Sequence, residues 1–248
     1  MGRPLIGVTV RNIQESGPPY RAQSATEIAY LRALWKAGGL PVMLPNLPEA
    51  ASLFAERVDG VLFTGGGDID PQRYGAAPHP QTGPVDPERD AFEFALFEAA
   101  RRLGRPMLGI CRGFQVMAVG FGAALCQHLP ETTELVHWDL SQPPPARSHS
   151  VCIFPLPGLD AFLPDLPDRI LEVNSYHHQG VRRRTDLPPD LHLLAEAPDG
   201  VVEAFAWVPE GQTIPCGLAV QWHPELLFED DPRHLWPFRW LVATAQMR

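Results

Sequence analysis

The stretch PMLGICRGFQVM, residues 106 to 117, limits the architecture more than any other part of the chain. An apolar run, Met107 to Ile110, meets a cysteine, and an apolar segment of helical character follows. Gly109 and Gly113 stand two positions either side of Cys111. A strand that turns sharply into a helix crowds its own backbone, and small residues at those two positions let the turn close. A buried structural cysteine needs no such glycines. The helix opening at Arg112 would aim its N-terminal N–H groups at Cys111, which favours the thiolate, the form that attacks carbon.

The flanking pattern agrees with a strand-to-helix corner. Leu5 to Val10 reads as a buried strand, Ala25 to Ala37 as a helix stopped by Gly38-Gly39, and Leu40 to Leu44 as a second strand. A short helix from Glu49 to Arg57 and a strand from Gly60 to Thr64 follow. Asp86 and Pro87 have the residue types of an N-cap and a first helical position, opening a helix through PERDAFEFALFEAARRLG. Such alternation implies a mostly parallel sheet covered on both faces. The second half changes character. HSVCIF, DRILEVN, LHLLAEA, VVEAFAW and PCGLAVQW are strand candidates separated by Pro, Gly and Asp, and a last helix follows Asp231-Pro232. No repeat or linker interrupts the chain, so residues 1–248 are expected to form a single domain. SQPPPARS and LPDLPD read as rigid surface loops.

Composition narrows the function classes. The formal net charge of −9 opposes nucleic acid and anionic membrane surfaces. No apolar run is long enough to span a bilayer, and MGRPLIGVTV begins directly on a strand-like segment, without a signal-peptide pattern. Position 6 is Ile, so the myristoylation pattern is also absent. A cytoplasmic location is expected. The cysteines Cys111, Cys126, Cys152 and Cys216 are far apart, with no Cys-x-x-Cys, which argues against zinc ribbons and disulfides. Cys126, Cys152 and Cys216 are expected in the core.

A cysteine nucleophile needs a base, and the base needs an orienting group. AVQWHPEL supplies both: on an extended segment His223 and Glu225 share a face, and Pro224 between them should prevent helix. The same pair could be a surface His beside a surface Glu. Two ligands at this spacing need a third to hold a metal, and no His-Glu-x-x-His occurs, so a metal reading is weaker and none is expected. Gly65-Gly66-Gly67, directly after a strand, can offer backbone N–H groups to an oxyanion. The loop lacks a Gly-Lys-Ser/Thr ending, which argues against a phosphate cradle. On residues alone, the chain is a cysteine hydrolase of unknown acyl substrate, with His177-His178 as a second candidate base.

The set GGGDIDP, ERDAFE, GICRGFQ, VNSYHHQ, APDGVVEA and VQWHPE resembles the gamma-glutamyl-gamma-aminobutyrate hydrolase family of the class I glutamine amidotransferase superfamily. The resemblance covers nearly the whole chain, departing mildly at VMAVGFGAALCQHLP. It implies a flavodoxin-like three-layer α/β sandwich with extra antiparallel strands in the second half. It implies a Cys111–His223–Glu225 triad and oxyanion donors at the backbone N–H of Gly66 and Arg112. Substrate contacts are implied at Gln115, one helical turn beyond the cysteine, and at Tyr176 and His177. The implied reaction cleaves a small gamma-glutamyl amide, as in polyamine catabolism, through a gamma-glutamyl thioester, with no cofactor. Self-association stays open. Two other readings stay open as well: a glutaminase subunit delivering ammonia to a separate synthetase, and a non-catalytic ligand-binding module on the same fold.

Overall fold

The computed structural model describes residues 2–14, 22–138 and 146–247. Most of the proline triplet segment of SQPPPARS lies outside the described residues.

One nine-stranded sheet organises these residues. Five strands are parallel and lie in the order β4 (Leu40–Leu44), β1 (Leu5–Thr9), β5 (Gly60–Phe63), β6 (Met107–Ile110) and β11 (Gly217–Val220). Beyond β11 the sheet continues antiparallel through β10 (Val202–Trp207), β9 (Leu191–Glu196), β7 (His149–Ile153) and β8 (Ile170–Val173). The mostly parallel sheet with later antiparallel strands is the fold expected from the sequence.

The three layers follow from the period-2 alternation of these strands. Leu62, Leu108, Ile110, Leu218 and Val220 face one core, beneath α1 (Ile28–Ala37) and α5 (Trp236–Gln246). Val61, Phe63, Met107 and Ala219 face the other, beneath α2 (Ala51–Arg57), α3 (Pro87–Leu103) and α4 (Arg112–Gly120). Each central residue is thus buried from both sides, which is why these strands read as continuous apolar runs. The Asp86 carboxylate caps α3, accepting from Arg89 N at 3.0 Å, and Gly38 closes α1 in a left-handed conformation.

Three expectations need correction. The first helix starts at Ile28. Ala22–Ala25 instead forms β3, which pairs antiparallel with β2 (Arg11–Gln14) in a separate two-stranded sheet. Cys152 is exposed and Cys126 half-buried; only Cys216 joins the core with Cys111. On β7 the inward positions are Val151 and Ile153, so Cys152 faces out. The segment from Pro48 opens as a 3-10 turn before α2 begins at Ala51.

Candidate active site

Adjacent parallel strands β5, β6 and β11 end together, and their carboxyl ends carry Thr64 to Gly67, Cys111, and Gln221 to His223. Ligand sites of parallel α/β sheets lie at this edge.

Cys111 is the corner itself. It holds φ 53° and ψ −104°, a left-handed conformation that a side chain rarely adopts and that costs on the order of 1–3 kcal/mol. Its N–H donates to the Val220 carbonyl at 3.0 Å, which ties the corner to β11. A Cβ at Gly109 would stand 2.5 Å from the Gly113 carbonyl oxygen, and one at Gly113 would run into the Phe63 carbonyl. Both glycines are there because backbone passes where a side chain would be.

His223 is clamped from both sides by one side chain. Its N–H donates to Asn174 Oδ1 at 2.8 Å, and its carbonyl accepts from Asn174 Nδ2 at 3.0 Å. The ring Nδ1 lies 2.6 Å from Glu225 Oε1. Assigning the Nδ1 proton to that bond leaves Nε2 as the nitrogen with a lone pair. Burial opposes a charge on this ring, but Glu225 and Cys111 outweigh it and raise its pKa well above 6.5. The local backbone corrects the expectation of an extended segment. Pro224–Leu226 is a 3-10 turn with His223 as its N-cap. Pro224 occupies the first helical position, where a missing N–H costs nothing. The turn brings the ring and carboxylate together.

The glycine turn is shaped by a buried partner that the sequence reading missed. Tyr30, from α1, accepts from Gly65 N at 3.0 Å and lies 3.4 Å from His223 Nδ1. Burial first, then Glu225 and Cys111, raise its phenol well above 10. A Cβ at Gly65 would meet the His223 ring and the Tyr30 hydroxyl at 2.9 Å each and Cys111 Cβ at 3.6 Å, so this glycine packs against both ends of the pair. With the Gly65 N–H engaged, the following residues supply the turn's remaining donors. Gly66 abuts the Arg112 side chain, 3.3 Å from its Cδ to a Cβ position. The Arg112 N–H opens α4, where first-turn donors have no intrahelical acceptor.

Beneath the turn lies a buried ionic lattice. Arg89 donates to the Thr64 and Gly65 carbonyls at 3.0 and 2.9 Å and to Glu93 at 2.9 Å. Arg112 pairs with Glu93 and Asp90. Two guanidiniums and two carboxylates sum to zero, the condition under which burying charge is tolerable. Burial raises the Glu93 carboxyl, but Arg112 and Arg89 together bring it below its ordinary value. ERDAFE therefore carries a support for the glycine turn.

Gln115 is buried, and its Nε2 donates to the Gln179 carbonyl at 3.0 Å, with Gln221 Oε1 at 3.4 Å. Its amide nitrogen is therefore committed within the protein. Tyr176 puts its ring 5.8 Å from that of His223. His177 is buried with both nitrogens directed at protein groups, Nδ1 at the Gln179 carbonyl and Nε2 towards Glu203. Asp68 fastens the following loop, receiving Gln179 Nε2 at 2.9 Å and facing His178 Nε2 at 3.1 Å. An open cleft of roughly 880 Å³ borders Gly67, Asp68 and Arg112 and reaches Asn12 and Ser24 of the small hairpin. A more apolar groove, lined by Leu31, Trp35 and Phe228, includes none of these residues. No described helix is long and apolar enough to cross a membrane.

A cysteine, an imidazole held by a carboxylate, and a glycine turn beside a helix N-terminus at one strand edge make an arrangement suited to acyl transfer. Residues 4–225 match the peptidase C26 family. Among relatives, protein NtpR of Enterococcus hirae is 33% identical over 90% of this chain and 91% of its own. The gamma-glutamyl-gamma-aminobutyrate hydrolase PuuD of Escherichia coli K12 is 33% identical over 91% of this chain and 87% of its own. A structure described as a GMP synthase subunit from Thermoplasma acidophilum superposes with a TM-score of 0.62 at 19% identity, covering 100% of this chain and 96% of that one. A glutamine amidotransferase of Thermotoga maritima gives 0.58 at 18%, covering 100% and 92%.

Proposed function

The chain belongs to the peptidase C26 family, within the class I glutamine amidotransferase-like superfamily, and is a hydrolase of that kind; from this premise we propose that it acts as a single domain cleaving small gamma-glutamyl amides, gamma-glutamyl-gamma-aminobutyrate among them. The observation that carries the reading is the 2.6 Å contact between His223 Nδ1 and Glu225, set against the Cys111 corner.

In this mechanism the Cys111 sulfur, its proton held by His223, attacks the gamma-carbonyl carbon. The C–S bond forms as the carbonyl π electrons move to oxygen. The backbone N–H groups of Gly66 and Arg112 receive that oxyanion; one such donor is worth about 3 kcal/mol of transition-state stabilisation. The C–N bond then breaks, and His223 gives its proton to the leaving amine. Water attacks the thioester, His223 takes the water proton and passes it to sulfur, and glutamate leaves. Glu225 keeps the ring in the tautomer that both halves need. Tyr176 walls the site beside His223. Gln115 offers its carbonyl oxygen to the alpha-ammonium of the glutamyl head, its nitrogen being engaged elsewhere.

A panel of gamma-glutamyl amides incubated with the purified chain, with free glutamate measured, tests this directly. Turnover is expected with the chain alone, and Cys111→Ala is expected to abolish it while keeping the fold. The glutaryl amide of the same amine, lacking the alpha-amino group, is expected to be far slower, because a site that hydrogen-bonds a group rejects analogues without it. Hydrolysis confined to glutamine and dependent on a second protein would replace this reading with the glutaminase one. A Cys111→Ala variant within tenfold of the parent would remove the nucleophile.

A further inference from the structure

Four side chains that the proposed reaction leaves unused meet in the protein interior. His137 precedes Trp138, which bridges to Tyr176; His149 begins β7, His177 follows β8 and Glu203 lies on β10. Their side chains are between 0% and 2% exposed. Each histidine directs one ring nitrogen outward to a protein oxygen: His137 Nε2 to Asp199 at 3.1 Å, His149 Nδ1 to the Ser150 carbonyl at 3.2 Å, His177 Nδ1 to the Gln179 carbonyl at 2.9 Å. A neutral imidazole carries a single N–H, and an acceptor on one nitrogen fixes it there. The other three nitrogens are thereby left as lone pairs, and all three face Glu203 Oε1, at 3.3, 3.8 and 3.4 Å. None of these inward nitrogens, nor either Glu203 oxygen, has a hydrogen-bond partner.

Acceptors converging on a buried carboxylate repel unless a cation stands between them. We propose that His137, His149, His177 and Glu203 form a closed site for a divalent first-row transition metal, with Zn2+ as the ion held. Bonds of about 2.0–2.1 Å to zinc give a tetrahedron with edges of about 3.4 Å, close to the three edges that meet at Glu203 Oε1. Ligand atoms of His137, His149 and Glu203 lie within 4.8 Å of one another, whereas His177 falls outside that group and is the ligand that must close in on the ion. Outward N–H bonds to a carboxylate and to backbone carbonyls are the usual outer support of metal-bound histidines. The donor set of imidazole and carboxylate suits zinc better than magnesium or calcium. The charge closes as well: two positive charges on the ion meet Glu203 and Asp199. With His177 drawn in as the fourth protein ligand the site is structural. It staples the loop from Asn174 to Gln179, which clamps His223 and carries Tyr176, to β7 and β10. Binding energy at such a site becomes folding energy.

The competing cation is a proton. Burial disfavours it, but Asp199 and Glu203 on the two nitrogens raise the His137 pKa to about 9. That account neutralises one of the three lone pairs.

Untagged protein, expressed with added zinc and purified without chelator, should carry close to one zinc per chain by elemental analysis. X-ray absorption should show only nitrogen and oxygen neighbours, and the Co2+-substituted protein should give the intense visible bands of a tetrahedral site. Glu203→Gln and His149→Ala should each lower zinc content at least tenfold, while Cys111→Ala retains it, separating this site from the reactive cysteine. If those variants do not fold, the parent decides. Stripped in denaturant and refolded with or without Zn2+, it should unfold several degrees higher with the metal. Less than a tenth of an equivalent after refolding with zinc, or zinc undiminished by both substitutions, overturns the proposal. The first outcome leaves the His137 imidazolium as the buried cation.

Discussion

In the proposed reaction Glu225 touches no reacting atom and acts through the imidazole. Its carboxylate, with Cys111, lifts the His223 pKa against the effect of burial. A raised histidine keeps its proton to higher pH, so in the proposed reaction the alkaline limb of kcat/KM should lie well above pH 6.5. Glu225→Gln removes the charge and keeps the shape. The amide holds the imidazolium less firmly, so the alkaline limb should move to lower pH as kcat/KM falls by roughly 10²–10⁴-fold. A uniform loss with an unmoved limb would mean that Glu225 merely supports the backbone. The local parts of this site are legible in the sequence. Gly109, Cys111 and Gly113, and His223 with Glu225, each sit within five residues, where turn chemistry decides geometry. Tyr30 and Asn174 were not legible in these roles. Each reaches the site from a distant element, and a tyrosine in an apolar helix reads as core. The extended form expected around Pro224 failed because a proline that blocks a helix interior is well placed at a helix start.

At the scale of elements, strand order brings β5, β6 and β11 side by side, and the glycines set how closely α4 can approach them. Two glycines separate close approach from backbone freedom. Gly113 lies in ordinary helical conformation, and a Cβ there would collide with the Phe63 carbonyl of β5. Gly75 has φ 72° and nothing within 4 Å of a Cβ position. Gly75→Ala should therefore cost only the left-handed strain, about 1–2 kcal/mol. Gly113→Ala must displace α4 from the sheet, at or above the upper end of overpacking costs, about 3 kcal/mol, and should lose activity in proportion. Equal denaturation midpoints for the two variants would contradict this account. The buried strands were visible as apolar runs and the long helix by its Asp-Pro start. The β2–β3 hairpin was not, because RNIQ and AQSA carry no apolar face. They pair with each other away from the main sheet, so their pattern reports no core.

For the whole molecule, the least legible features are polar groups gathered from distant segments. His137, His149, His177 and Glu203 have no common spacing, so only the fold of the antiparallel half assembles them. His234 is another such case. It is fully buried beside α5, with Asp231 4.0 Å away. Burial, reinforced by Arg147 and Arg233 and opposed by Asp231, lowers its pKa to about 4. A histidine whose folded pKa is depressed is neutral in the native state, while the unfolded chain takes up its proton near pH 6.5. Between those values the unfolded state binds more protons, so stability falls as pH drops from about 6.5 towards 4. The difference of about 2.5 pKa units corresponds to at most roughly 3 kcal/mol. His234→Gln has no proton to gain. It should be less stable than the parent at about pH 7.5, since the substitution disturbs a packed site. As the pH falls to about 4.5 the gap should close, by roughly 2–3 kcal/mol, because only the parent loses the His234 contribution. Histidines common to both proteins, the zinc-site candidates included, cancel in the difference. Urea denaturation of both chains across this range reads the gap, and a gap constant with pH would show that His234 does not titrate between native and unfolded states as its burial requires.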